Sequence, residues 1–169
     1  MRASILNEWA LGISLLAGAW VSVAVTMAGM MPSQTTGDER IQVDGAEMWR
    51  STYTLRVFGT NRCTDAVIVI DVVVTLDVTA HMAGDDAQVL VVASLASTPS
   101  PSAPDTIVAA TSQFGFFAPL YGKKTHVHDL RTQVVGQMVP AELVVGVEQG
   151  VDGAGRLIVV PGATWVACT

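Results

Sequence analysis

An all-β sandwich, jelly-roll-like and of about eight strands, preceded by one long hydrophobic N-terminal α-helix, is the fold this sequence predicts. Three observations predict it. The run from Trp9 to Met31 contains no charged residue. From Arg50 onward the apolar runs are short, rich in β-branched residues and separated by turn residues, and none keeps a helical period. Half of the 169 residues are hydrophobic and only 14% are charged, against about 25% in ordinary globular chains. Such a deficit fits a membrane segment, a domain surface covered by neighbouring subunits, or both.

As a helix, Trp9 to Met31 would extend roughly 35 Å at about 1.5 Å per residue, enough for a bilayer core that takes about 20 apolar residues. Pro32 is a helix stop, and Trp9 stands at the membrane-entry edge, where an indole is favoured. Gly18 with Ser22, and Ala24 with Ala28, form small-xxx-small pairs that let helices approach closely. Arg2 precedes the run and Asp38, Glu39 and Arg40 follow it, so positive charge inside places the N-terminus in and the β domain out. The expected organisation is a transmembrane anchor over 1–32, a connector over 33–49 and a β-sandwich over 50–169. A cleaved signal peptide, with small residues near Thr26-Met27-Ala28, and a helix buried inside a protein assembly are the competing readings.

The layout is similar to that of type IV pilins, which carry a basic leader, a Glu five residues into the mature chain, an apolar helix and a β head. Were Ala3 the end of a leader, Glu8 would take that fifth place. Met-Arg-Ala is shorter than such leaders, and the similarity covers this one residue and the general architecture.

In the β domain, strands are expected near 50–59, 66–80, 87–96, 106–113, 125–135, 141–148, 156–160 and 164–168. In the clearest, Ile68, Ile70, Val72, Val74, Leu76 and Val78 alternate onto a core face, and Val67, Asp71, Thr75 and Asp77 lie on the other. Gly84-Asp85-Asp86 and Val151-Asp152-Gly153-Ala154-Gly155 read as hairpin loops, and Pro161-Gly162 as a tight turn between the last two strands. The Pro/Ser-rich stretch from Ser97 to Pro104 reads as a surface excursion. Phe114-Gly115-Phe116-Phe117, with Tyr121 beyond, reads as an aromatic segment between strands. It is either a core plug or a patch that docks a neighbour.

A net charge of −6 and scattered arginines exclude nucleic-acid binding, which needs clustered cations. Asp71 and Asp77 would stand roughly 20 Å apart along a strand, too far for a glycosidase pair. His126 and His128, on one face of a strand, could supply half of a zinc or copper site, with His81 or an Asp as third ligand. The alternative is a pair of exposed strand histidines. Cys63 and Cys168 either form a disulfide that ties the last strand to the start of the sandwich or remain buried thiols. No cofactor and no catalytic residue is expected.

The expectation is therefore a non-enzymatic structural subunit of a repeating assembly, a virion protein of a membrane-containing particle or a pilus-like filament. Its partners would be copies of itself, other subunits and membrane lipid. The alternatives are an accessory subunit of a membrane complex with an extracytoplasmic β domain, and a metal-binding domain using His126 and His128.

Overall fold

The computed structural model describes residues 33–34, 39–61, 64–98, 108–135 and 141–168. Every regular element among them is a strand: β1 (Ser33–Gln34), β2 (Arg40–Val43), β3 (Ala46–Asn61), β4 (Ala66–Ala83), β5 (Asp86–Thr98), β6 (Ala109–Pro119), β7 (Thr125–Val134), β8 (Ala141–Val151) and β9 (Leu157–Cys168). They form two antiparallel sheets. One runs β3-β4-β5-β6, with β1 and β2 along the other edge of β3, and the second runs β7-β8-β9.

Hairpin chemistry sets this order. Asp44 and Gly45, with φ of 49° and 78°, make a two-residue turn between β2 and β3, and paired positive φ values match the twist of the strands they join. Gly84, at φ 66°, opens the two-residue turn between β4 and β5. Such tight turns make sequence neighbours into sheet neighbours. The jelly-roll expectation is corrected here: among the described strands no Greek-key crossover exists, and each sheet is a meander.

The alternation expected of β4 holds. Ile68 to Ala80 bury every second side chain, and Val72, Val74 and Leu76 are fully inaccessible. They pack with Val89 and Val91 of β5 and with Leu143, Val145 and Val147 of β8 in one core between the sheets. Removing these side chains from water is the main stabilising term of the sandwich. At one corner Arg40 ties β2 to β9. Its guanidinium donates to the Leu157 carbonyl at 2.8 Å, pairs with Glu47 at 3.1 Å and lies 4.3 Å from the Trp49 ring.

Three boundaries differ from expectation. The sheet begins before Arg50, because β2 and the start of β3 occupy the predicted connector. Phe114 to Phe117 are not a plug between strands but part of β6, paired with Val91 to Gln88. Pro161-Gly162 is not a turn: β9 runs through it, and the register with β8 slips between Val145 and Val147. Proline lacks an amide donor and is tolerated on an edge strand at a bulge, which is where β9 places it. The run from Trp9 to Met31 lies outside the described residues, among which no helix is long and apolar enough to cross a membrane.

Candidate functional site

Two regions hold the side chains with chemical potential: the corner where β6 meets β7, and the outer face of the large sheet.

At the corner, β7 carries a second bulge. His126 pairs with Glu148 but His128 pairs with Val147, so Val127 is the extra residue. The bulge breaks the two-residue alternation and sends the two histidines to opposite faces. His128 turns inward, in step with the buried Leu130 and Val134. It stacks on Phe114 at 4.0 Å between centroids and 16° between planes, and its Nε2 lies 3.3 Å from the Ser112 hydroxyl. His126 turns outward, with Nε2 3.2 Å from Asp129 Oδ1. The expectation of a shared histidine face is thus corrected, and the cause is the bulge.

Outward from His126 the charges alternate across the small sheet. Arg131 bonds Asp129 at 2.9 Å and Glu142 at 3.2 Å, and the Asp129 bond is the first cause of a raised Arg131 pKa. Asp129 Oδ1 is shielded from solvent and has no aligned hydrogen bond. This ladder pins β7 to β8. His81, one of the expected third ligands beside an Asp, sits at the far end of β4 opposite Gln88. Among the described residues no group of three or more His, Cys, Asp or Glu side chains is placed to hold a metal. The Ser112–His128 contact brings a hydroxyl to an imidazole, but Phe114 covers the ring face. The groove beside it, about 240 Å³, is lined by Ala93, Leu95, Ser112 and Leu130 with Asp129 and Arg131 at its rim.

The expected aromatic patch divides by alternation. Phe114 and Phe116 face inward against the core, whereas Phe117 is 78% exposed and Tyr121 69%. Trp9, Gly18, Ser22, Ala24, Ala28 and Cys63 lie outside the described residues, as does the side chain of Cys168, and the expected disulfide lies outside with them.

The outer face of the large sheet is arranged in rows that follow the strand register. One row is Ile41, Met48, Thr79 and Leu90. Another joins Arg50 to Asp77, a third Thr52, Thr75 and Ser94, and a fourth Arg56 to Asp71. Each arginine forks onto its aspartate: Arg50 at 2.5 and 3.0 Å, Arg56 at 2.6 and 2.9 Å. These bonds raise both guanidinium pKa values and hold the Asp71 carboxyl below its usual range. The two arginines are legible in the sequence after the fact, because Arg50 and Arg56 repeat the spacing of Asp71 and Asp77 on the adjoining strand. Apolar side chains stand among the pairs, with Met48, Leu90 and Val92 all exposed. A groove of about 480 Å³ lies over β2, β3 and β4, lined by Glu39, Ile41, Met48, Arg50, Asp77 and Thr79.

Compared with protein-family models, with curated proteins and with solved structures, the chain matches none.

Proposed function

We propose that this chain is a non-enzymatic structural subunit of a repeating assembly, a virion protein of a membrane-containing particle or a pilus-like filament. Its N-terminal apolar segment anchors it, and its β domain faces away from the cytoplasm. The observation that carries the reading is the outer face of the large sheet. It is broad, exposes Met48, Leu90 and Val92, and closes both Arg50 and Arg56 onto aspartates, with Glu39 at the β2 side of the groove. A face whose charges are already neutralised loses less on leaving water than one of free charges. Large apolar side chains exposed together on one face, beside neutralised charges, favour an interaction surface. A sandwich used as a building block needs surface complementarity and no catalytic group.

Negative-stain microscopy of the native source material tests this. Regular particles or filaments that bind an antibody to this chain are the expected result. Dispersed single chains in that material would overturn the reading.

A further inference from the structure

Resting on that assembly reading, we infer that the first contact of the assembly is between two copies of this chain. They pack the outer faces of their large sheets together about a two-fold axis running parallel to the strands, between β3 and β4.

The row structure supplies the argument. A two-fold parallel to the strands reverses the order of strands but keeps each row opposite itself. The β3 strand of the second copy then lies over β4 of the first, and β5 over β2. In the Arg50–Asp77 row, each Arg50 comes to rest over the Asp77 of the other copy. In the Arg56–Asp71 row the same reversal sets Arg56 over Asp71. Each two-charge pair becomes a four-charge square of alternating sign. A two-fold perpendicular to the strands would instead lay β3 over β3 and bring arginine over arginine. The charge pattern therefore selects one axis from the two that sheet-on-sheet packing allows.

The uncharged rows obey the same reversal. Ile41, 51% exposed, meets Leu90, 44% exposed, and the converse holds across the axis. The groove of about 480 Å³ beside Ile41 and Met48 gives the incoming Leu90 its space. Thr52 meets Thr75, hydroxyl against hydroxyl. An isologous contact demands a patch that is complementary to itself, and each of these rows is.

Size and long-range charge agree with this occupant. Four strands at about 4.8 Å, over about 30 Å of strand, present on the order of 600 Å² before side-chain relief is counted, near the roughly 800 Å² per partner of a specific interface. Two chains of net charge −6 repel each other, and the two Arg–Asp pairs add no net charge where the faces meet.

Sedimentation velocity of the full chain in nonionic detergent tests the inference. The wild-type chain is expected to sediment as a dimer. Arg50→Asp, which places carboxylate over carboxylate, is expected to raise the dissociation constant at least tenfold. The swap Arg50→Asp with Asp77→Arg rebuilds both the pair within the chain and the square across the axis, and is expected to restore the dimer. Lys123→Asp, an equal charge change in the exposed β6–β7 loop, is expected to leave it intact. Circular dichroism establishes that each variant is folded. A wild-type monomer, a dimer indifferent to Arg50→Asp, or a folded swap that stays monomeric would each overturn the inference. If particles or filaments are nevertheless present in native material, the assembly reading survives that failure. If that material is dispersed as well, both fall.

Discussion

The carboxylate of Glu148 lies across Gly162, occupying the space a side chain at that position would need. Glu148 is on β8 and Gly162 is at the β9 bulge, so the glycine lets the two strands keep contact where their register slips. A Cβ on residue 162 would meet the Cγ of Glu148 at 2.6 Å, which is not the freely moving tip of the side chain. Gly162→Ala is expected to destabilise by about 1–3 kcal/mol, the usual range for overpacking. In a Glu148→Ala background the loss should largely vanish. Urea unfolding of the four variants checks this, and equal losses in both backgrounds would show that Glu148 is not the obstacle.

The hairpin between β8 and β9 is organised by Asp152. Its carboxylate accepts the Ala154 and Arg156 amides, both at 2.9 Å, and the Arg156 guanidinium at 2.8 Å. These bonds, the Arg156 amide first, hold its pKa below the ordinary value of 3.8. Between those two pKa values the unfolded chain binds more protons than the folded one. The stabilisation is therefore complete above the unfolded value and is lost as pH falls through the folded one. The urea midpoint should drop on acidification below 3.8, the ordinary value, and Asp152→Asn should flatten the drop. Asp71, shifted the same way by Arg56, leaves part of the dependence in place. A pH profile identical in wild type and Asp152→Asn would contradict the assignment.

The bulge at Val127 gives a test of the metal reading. Because His126 and His128 face opposite sides of β7, they offer no common site. Titration with zinc or copper, followed by calorimetry, is expected to reveal no binding event abolished by both His126→Ala and His128→Ala. A stoichiometric event lost in each variant would mean that the two rings converge.

The parts of this fold legible in the sequence are those governed by the two-residue period. Ile68 to Val78 declared their face because one side of β4 is wholly buried, and burial is what alternation records. The parts that were not legible depend on pairing. Residues 114–117 read as a segment between strands, a core plug or a docking patch, yet their pairing with Val91 to Gln88 holds them in the ladder. The extra residues at Val127 and at Gly162-Ala163 carry no local signal, since a bulge is defined only against the neighbouring strand. The paired spacing of Arg50, Arg56, Asp71 and Asp77 became meaningful only once the register of β3 on β4 was known. Strand order was open for the same reason: alternation announces strands but not their neighbours.

That order has a consequence during synthesis. The large sheet is complete in sequence when Pro119 leaves the ribosome, whereas all three strands that cover its inner face come later. Making the stretch from Leu120 to Cys168 takes roughly 2.5–10 s at about 5–20 residues per second. For that interval Val72, Leu76 and Val91, among the least accessible side chains of the finished protein, lack the sheet that covers them. The nascent chain thus passes through a stage in which it is a ready client for any factor that shields apolar surface.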